Sequence, residues 1–403
     1  MSAAASRPRL LVLSSTYPRW RDDPEPSFVH ELSRRLTADF EVTVLCPHAP
    51  GAKTEEELDG VSVERYRYAP AAWETLVHGG GMAANLKRNP LKWLLVPGFL
   101  LGQAWAARRI VRRRSVDVLH VHWLIPQGLA VLLLRLLGCR TPYLVTSHGA
   151  DLYSLRGTLS RTLKRRVAAK SAAMSVVSGA MVEEAARLGL RPPKLEILSM
   201  GVDLHGRFVP DTAVRRQADR LLFVGRLVPK KGLPYLLDAL PAILAKRPSV
   251  RLAIVGFGPE EMALKAQVQR LGLGDRVEFM GAKTQGELPA LYRTVSLFVA
   301  PFVKEASGDQ EGLPVALMEA VGCGCPVIAG EVAGLRDLLG AAADQVCVDP
   351  KDSAALAAAI LKSLEAPVEA STRALEVRRV ALEKVDWSAV ASGYSRLLRD
   401  CIG

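Results

Sequence analysis

Two cations stand five residues apart in one glycine-flanked segment, Gly225-Arg226-Leu227-Val228-Pro229-Lys230-Lys231-Gly232. Arginine offers a planar fork of donors and lysine a compact positive charge, so the two can close on a diphosphate. The segment follows a buried-strand pattern, and ligands of parallel sheets bind at the carboxyl ends of strands. We therefore predict a phosphate site at Arg226 and Lys231, with Gly225 at the turn. By itself, the same segment is also compatible with an ordinary basic turn.

Two carboxylates follow later in the chain, in Glu311-Gly312-Leu313-Pro314 and at Glu319. Pro314 suits the first turn of an apolar helix, whose first backbone N–H groups attract anions. Carboxylates accept hydrogen bonds from the hydroxyls of a sugar. The alternative is that Glu311 only favours the helix dipole and that Glu319 is solvated. An acid inside an apolar helix usually has a partner, however, which favours a specific role for Glu319.

Glycines also end the next strand pattern, in Val255-Gly256-Phe257-Gly258-Pro259. Glycines at Gly256 and Gly258 would let a ligand approach the backbone closely. A tight turn explains the same residues equally well.

The elements that position these residues follow a strand–helix–strand rhythm, which predicts parallel sheets with crossover helices. The rhythm runs once through the first half of the chain and restarts at Arg220. We predict an α/β protein with two doubly wound domains: 1–205, a linker 206–219, a second domain 220–385, and a helix 386–403 packing back on the first domain. The predicted strands are 9–14, 41–46, 116–121, 143–146, 174–177, 221–224, 251–255, 276–280, 296–300 and 326–329. The predicted helices are 27–36, 128–137, 233–244, 260–271, 314–321 and 387–398.

Composition and charge agree with a two-domain globular chain of 403 residues and net charge +12. Residues 1–205 carry 28 Lys and Arg against 18 Asp and Glu, whereas residues 206–403 carry 25 against 23. A basic half indicates an anionic partner, unless the cations only solvate the surface. The six cysteines show no disulfide or metal spacing. The apolar run 10–13 is too short for a secretory signal, and because no run of 18 apolar residues occurs we expect no membrane-spanning helix. We expect a cytoplasmic protein.

Residues 80–114 interrupt the alternating pattern. Apolar and aromatic residues lie between Lys87 and a basic run that ends at Arg114. Such a sequence is typical of an interfacial membrane helix, and equally of a core helix with a solvated basic end. An anionic membrane surface is accordingly one expected partner.

Taken together, the motifs resemble those of retaining glycosyltransferase family 4 (glycosyl transferases group 1), which has the GT-B fold of two Rossmann-like domains facing a central cleft. The resemblance covers essentially the whole chain, and its signature is the pair Glu311 and Glu319 with seven residues between them. Further matching segments are 117–122, Thr146-Ser147-His148-Gly149, Val177-Ser178, Gly201-Val202-Asp203-Leu204 and Gly324-Cys325-Pro326-Val327-Ile328.

The resemblance implies separate roles. Arg226 and Lys231 would neutralise the donor diphosphate as it leaves, and Glu311 would bind the transferred sugar. Glu319 would bind the ribose, and His148 would reach the donor sugar or the transfer site. Other donor-binding positions would be Gly225, Gly256, Gly258, Gly312, Leu313, Pro314 and Ser27.

The resemblance also implies the reaction: transfer of a hexose from a UDP- or GDP-sugar, with retention, to a lipid-linked or polysaccharide hydroxyl. The nucleotide-sugar is a co-substrate, and no cofactor is expected. The sequence has no D-x-D pair where a donor metal would be needed, so we predict that no metal is required. We do not interpret His120 and His122 as metal ligands; one should face the cleft and the other the core. The alternatives are a nucleotide-sugar epimerase of the same fold and a basic nucleic-acid-binding module, which lacks a known motif.

Two segments depart from the family pattern. The loop 16–27 lacks the glycine pair that the family has after its first strand, so Ser27 and Phe28 would take that place. Near residues 333–337 the family tends to have Gly-Gly and then Glu. Here Asp337 would be a shorter substitute for that glutamate.

Overall fold

We analysed a computed structural model of the chain, which describes residues 7–21, 23, 27–78, 81–155, 157–305, 310–332 and 334–403. Four of the predicted features fall partly outside these residues. They are the loop 16–27 at 22 and 24–26, the start of segment 80–114 at residue 80, the loop before Glu311 at 306–309, and the 333–337 segment at Ala333.

The structure alternates strands and helices along both halves of the chain. The strands are β1 Arg9–Leu13, β2 Glu41–Pro47, β3 Glu55–Leu58, β4 Val61–Tyr66, β5 Val118–His122, β6 Tyr143–Ser147, β7 Ala173–Val176, β8 Leu195–Ile197, β9 Gln217–Val224, β10 Arg251–Val255, β11 Val277–Gly281, β12 Val295–Ala300, β13 Val327–Gly330 and β14 Cys347–Val348. The helices are α1 Phe28–Leu36, α2 Met82–Arg88, α3 Val96–Arg114, α4 Gln127–Leu136, α5 Ala150–Tyr153, α6 Thr158–Lys170, α7 Gly179–Arg187, α8 Leu233–Lys246, α9 Glu261–Arg270, α10 Leu288–Thr294, α11 Val315–Gly322, α12 Leu335–Leu339, α13 Ala343–Val346, α14 Ser353–Glu365, α15 Pro367–Val385 and α16 Trp387–Ile402. Short 3₁₀ turns occur at Ala71–Trp73, Pro90–Leu95, Pro229–Lys231 and Gly340–Ala342.

Contacts divide the chain into two compact units. The first unit contains residues 1–177, 181–198 and 391–403, and the second contains residues 178–180 and 199–390. The last helix therefore contributes its residues from Ala391 onward to the first unit. There Ser395 donates a 2.6 Å hydrogen bond to Asp39, and Tyr394 donates one of 2.9 Å to the Leu198 carbonyl.

The first unit is built on a sheet of order β3-β4-β2-β1-β5-β6-β7-β8 among the described residues. Its pairings are parallel except for the β3–β4 pair at the edge. The strand order reverses between β1 and β5, which is the topological switch point where open α/β sheets bind ligands.

The second unit has the order β11-β10-β9-β12-β13-β14 within the described part of the chain, with parallel pairing throughout. This is the doubly wound order, with its switch point between β9 and β12. The strands are nearly continuous in Leu, Val, Ile and Phe because helices cover both faces of the sheet, and they form one apolar core with α8, α11 and α14.

Segment 80–114 folds as α2, a 3₁₀ turn and the long helix α3. One face of α3 is buried at Phe99, Ala104, Ala107 and Ile110, as expected for a core helix. The opposite face exposes large apolar side chains, including Leu101 and Trp105. Among the described helices, none is long and apolar enough to cross a membrane.

The expectation that His120 and His122 face opposite ways was wrong. Residues two apart on a strand share a face, and the two imidazole rings lie 4.2 Å apart with both side chains fully buried.

Candidate active site

The switch point of the second unit brings together the two loops that carry the predicted cations and carboxylate. β9 and β12 are neighbours in the sheet, with Leu222 paired to Phe298. The chain leaves β9 at Val224 and leaves β12 at Ala300, so both loops emerge at the same edge. The sequence motif at 225–232 and the motif at 311–314 therefore belong to one site.

The loop after β9 is held against the loop after β12 by backbone contacts. Pro229–Lys231 form a 3₁₀ turn that ends at Gly232, whose φ is +67°. The Lys230 carbonyl accepts a 3.0 Å hydrogen bond from the Val303 N–H. A Cβ atom at Gly232 would lie 1.7 Å from the Pro301 carbonyl oxygen, so no other residue fits at this position. The contact fixes the height of Lys231 above the sheet.

Gly256 and Gly258 have a packing reason that the sequence did not reveal. A Cβ atom at Gly256 would lie 1.9 Å from the Gly225 carbonyl oxygen, and one at Gly258 would lie 2.4 Å from that of Leu227. The Leu227 N–H also donates a 3.0 Å hydrogen bond to the Phe257 carbonyl. These glycines bring the loop after β10 against the loop after β9. They thus let protein backbone, rather than only a ligand, approach closely.

Lys231 and Glu311 form the electrostatic centre of the site. Lys231 Nζ lies 3.4 Å from Glu311 Oε2, and Lys230 Nζ lies 3.5 Å from Oε1. Burial alone would raise the pKa of Glu311, but the charges of Lys231 and Lys230 outweigh burial and lower the pKa to about 2. Burial lowers the pKa of Lys231, and Glu311 opposes that shift. Lys231 Nζ also lies 4.9 Å above the Phe302 ring, which fixes the ammonium further.

Arg226 adds a third positive charge to this region. Its side chain is partly buried, and its charge disfavours protonation of Lys231. Lys230 and Lys231 thus bring two cations to the carboxylate of Glu311, and Arg226 is close enough to act on Lys231. Clustered arginine and lysine side chains of this kind can bind a diphosphate.

Glu319 is buried on α11, contrary to the alternative of a solvated acid. Gln285 Nε2 donates a 3.0 Å hydrogen bond to Oε1, and the Tyr292 hydroxyl donates one of 3.0 Å to Oε2. Burial raises the pKa of Glu319 to about 7, although both donors lower it. The polar partners expected for an acid in apolar surroundings are therefore Gln285, which precedes α10, and Tyr292, which lies on it.

The loop 312–314 lies directly before α11. Pro314 is the N-cap rather than part of the first turn, and its carbonyl accepts from the Leu317 N–H at 3.1 Å. Gly312 is buried. A Cβ atom at Gly334 would lie 2.5 Å from the Gly312 carbonyl oxygen. Leu313 is partly buried and packs on the core of the unit.

Asp337, which the sequence suggests as a shorter substitute for the family's glutamate, makes a backbone contact within the second unit. Its Oδ2 accepts a 2.8 Å hydrogen bond from the N–H of Gly179, which belongs to the same unit. This bond fixes the segment that carries Val177-Ser178.

His148 belongs to a separate cluster at the switch point of the first unit. Its Nε2 lies 2.9 Å from His122 Nδ1, and the two rings stack at 5.1 Å. Burial lowers the pKa of His148 to about 3, so its ring is neutral at physiological pH. Phe28 packs on the His148 ring at 5.1 Å, and Ser27 immediately precedes Phe28 as the N-cap of α1.

Asp151 fixes the backbone around His148 and was missed by the sequence argument. Its carboxylate accepts from the Leu124 N–H at 2.7 Å, the His148 N–H at 3.1 Å and the Ser147 hydroxyl at 2.9 Å. The loops after β5 and β6 are joined through this one buried side chain. An acid three residues after a strand-end histidine is the only sequence signal for it.

Gln285, Tyr292 and Phe302 were also missed. They contact Glu319 or Lys231, but none of them lies in a recognisable motif. Only the packing of the sheet brings them to the carboxylate or the ammonium.

Comparison with known proteins agrees with this fold. The family profile described as Glycosyl transferases group 1 matches residues 209–377, and the one described as Glycosyltransferase Family 4 matches residues 27–205. In the solved sucrose-phosphate synthase from Thermosynechococcus elongatus, the superposition covers 98% of both chains with a TM-score of 0.79 at 20% identity.

Two curated relatives were compared in sequence. The GDP-mannose-dependent alpha-(1-6)-phosphatidylinositol monomannoside mannosyltransferase of Mycolicibacterium smegmatis is 29% identical over 72% of this chain and 78% of its own length. The putative colanic acid biosynthesis glycosyltransferase WcaL of Escherichia coli K12 is 32% identical over 58% of each chain. The latter alignment spans less than two thirds of the relative.

The fold is therefore GT-B, with two Rossmann-like domains. The chain belongs to glycosyltransferase family 4 and is a hexosyltransferase.

Proposed function

We propose that this enzyme moves a hexose, with retention of the anomeric configuration, from a UDP- or GDP-sugar to a hydroxyl of a lipid-linked or polysaccharide acceptor. The product would be part of a cell-envelope or exopolysaccharide glycan, made at the inner face of the cytoplasmic membrane. The observation that carries this proposal is the contact of Lys231 with Glu311 where β9 and β12 end. In this proposal, Lys231 neutralises the leaving diphosphate, and Glu311 beside it accepts hydrogen bonds from sugar hydroxyls.

The relatives support both acceptor classes. The Mycolicibacterium smegmatis protein is named for GDP-mannose and a phosphatidylinositol monomannoside, and WcaL is named for colanic acid biosynthesis. A phosphatidylinositol monomannoside is a glycolipid, and colanic acid is a polysaccharide.

In the proposed reaction, the bond between the anomeric carbon and the β-phosphate oxygen breaks, and its electron pair stays on the diphosphate. The acceptor oxygen bonds to the anomeric carbon on the same face, and its proton passes to the departing phosphate oxygen. Arg226 and Lys231 stabilise the charge that develops there, which is worth about 3 kcal/mol for one such donor in other enzymes. Glu311 orients the sugar, and no metal ion is required.

Glu319 binds the ribose in this proposal. Each of its oxygens already accepts one hydrogen bond, and a carboxylate oxygen has a second lone pair for a ribose hydroxyl. His148 contacts the donor sugar or the transfer site in its neutral form.

A product screen with a panel of nucleoside diphosphate-sugars and a glycolipid or oligosaccharide acceptor tests the proposal. We expect turnover with one donor, without added divalent metal, and NMR of the product should show the configuration of the donor. Normal turnover by Glu311→Ala or Lys231→Ala would contradict it. Release of an altered nucleotide-sugar without an acceptor would instead indicate an epimerase.

A further inference from the structure

The segment between Glu74 and Asp117 contains eight Lys and Arg residues and no Asp or Glu. It forms α2, the 3₁₀ turn Pro90–Leu95 and α3 of the first unit. The residues that we propose to bind the donor diphosphate, Arg226 and Lys231, lie in the second unit. This segment therefore needs an explanation of its own.

One side of α3 is fastened to the body of the unit. A Cβ atom at Gly98 would lie 2.6 Å from the Tyr68 carbonyl oxygen, and one at Gly102 would lie 3.0 Å from that of Arg67. Phe99, between these glycines, packs on the rings of Tyr66 and Tyr68 at 5.7 and 5.4 Å. Two glycines four residues apart thus allow close packing and fix which face of the helix points outward.

The outward face carries large apolar side chains. Leu101 and Trp105 are four residues apart, which places them on one face of α3. Leu94 lies in the 3₁₀ turn that leads into this helix. Lys92 Nζ donates a 2.9 Å hydrogen bond to the Thr75 carbonyl, so the turn that bears Trp73 adjoins the turn that bears Trp93. We call this surface the Trp-Leu patch; its residues are between 55% and 80% exposed: Trp73, Leu91, Trp93, Leu94, Leu101 and Trp105.

Cations border the patch on both sides. Lys87 and Arg88 precede it on α2, and Arg109 and Arg112 continue the outward face of α3 beyond Trp105. Glu64 pairs with Arg113 and Arg114, and more distantly with Arg109. Among the described residues, Lys87, Arg88 and Arg112 have no carboxylate partner within an ion-pair distance.

Exposed tryptophan and leucine bordered by arginine are costly in water and match the boundary between lipid headgroups and acyl chains. Tryptophan suits this depth because its ring is apolar and its N–H is polar. The cations match anionic headgroups. Nucleic acid would use the same cations, but would gain nothing from Leu91, Leu94 and Leu101.

We propose that the Trp-Leu patch docks the enzyme on an anionic lipid bilayer, with Trp93, Leu94 and Trp105 below the headgroups and the flanking cations against lipid phosphates. This inference deepens the proposed function, because a docked enzyme reaches acceptors held at the membrane. The partner is the bilayer surface itself rather than a single lipid.

Vesicle sedimentation with the full-length protein tests the proposal. We expect binding to phosphatidylglycerol/phosphatidylcholine vesicles and little binding to phosphatidylcholine alone. The variant Trp93→Ser/Leu94→Gln/Trp105→Ser should reduce the partition coefficient more than about tenfold, because three apolar side chains are lost. The variant Arg88→Gln/Arg112→Gln should reduce the partition coefficient by about fivefold for each charge removed. This reduction should be smaller at high salt, because salt screens the attraction.

A matched control removes exposed apolar groups elsewhere. Met262→Gln/Val368→Ser changes two comparably exposed side chains of the second unit and should bind vesicles like the native protein. Lipids brominated in the acyl chain should quench native tryptophan fluorescence and should quench the triple variant less. Absence of native binding, or equal binding by the triple variant, overturns the proposal; the latter would indicate a purely electrostatic surface, such as one for nucleic acid.

Activity on a water-soluble acceptor separates this inference from the proposed function. We expect the triple variant to keep its turnover on the soluble acceptor and to lose turnover on an acceptor embedded in vesicles. A native protein that binds vesicles but transfers no sugar would contradict the function and leave the docking surface standing. A native protein that transfers sugar but does not bind vesicles would contradict the docking surface and leave the proposed function standing.

Discussion

Lys231 Nζ and Glu311 Oε2 lie 3.4 Å apart although they are eighty residues apart in sequence and on different strands' loops. The pair is mostly buried, and Lys230 approaches the other carboxylate oxygen at 3.5 Å. Glu311 thus holds Lys231 in place between two elements that are distant in sequence.

Lys231→Ala should lower kcat by about 10²–10³-fold, because an electrostatic donor to the leaving group is lost. Steady-state kinetics on the identified donor would measure this. Lys283→Ala removes a partly buried lysine that pairs with Glu287 and should leave kcat unchanged. A variant that retains its melting temperature and normal kcat would show that Lys231 is not part of the transfer step.

Donor affinity should depend on the ionisation of Glu319, whose pKa is about 7. The carboxylate accepts ribose hydroxyls better than the neutral acid does, so the Kd should decrease as pH rises from 6 to 8. In Glu319→Gln the Kd should be higher, and its pH dependence over this range should disappear. Calorimetric titration with the nucleoside diphosphate measures both effects, and an unchanged pH profile in the variant would contradict this role.

Stability should change in the opposite direction over the same range. The folded-state pKa of Glu319 lies above its ordinary value of 4.5, so the folded protein binds the proton more tightly than the unfolded chain does. This contribution is fully present below pH 4.5 and is lost as pH rises through about 7, at most about 3 kcal/mol. Denaturant titrations of the native protein and Glu319→Gln should therefore converge at low pH and diverge as the native protein loses this contribution. Parallel curves would contradict the raised pKa.

The buried histidines of the first unit predict acid sensitivity. Burial lowers the pKa values of His120 and His148 to about 3, below the ordinary value of 6.5. Their contribution to stability is present above pH 6.5 and is lost as pH falls toward 3. His120→Asn should make the fall in melting temperature between pH 7 and pH 5 shallower. His205→Asn, at an exposed histidine, should leave that slope as in the native protein.

Gly232→Ala should destabilise the second unit by about 3 kcal/mol or more, because its Cβ atom would collide with the Pro301 carbonyl oxygen. Gly272→Ala is a matched control: it has the same φ of +67° but no atom within 4 Å of the added Cβ. It should cost only about 1 kcal/mol from backbone strain. Equal losses in urea unfolding would show that the contact between the two loops is not decisive.

The sequence by itself determined the alternation of strands and helices along both halves of the chain, and it contains the charged residues that we propose for the site. Arg251–Val255 has the predicted bounds, and α8 begins at the predicted Leu233. Buried parallel strands and their helices leave local apolar patterns, so they are readable from the chain. The family resemblance came from motifs that each follow one strand, such as Gly225–Gly232.

The tertiary structure decided how those motifs contact one another. Sheet order places the ends of β9 and β12 side by side, and only that placement joins Lys231 to Glu311 and Gln285 and Tyr292 to Glu319. It also showed that Gly256 and Gly258 accommodate neighbouring backbone, and that α3 buries Phe99 while exposing Trp105. These features depend on contacts between residues distant in sequence, and a local pattern contains no term for such contacts.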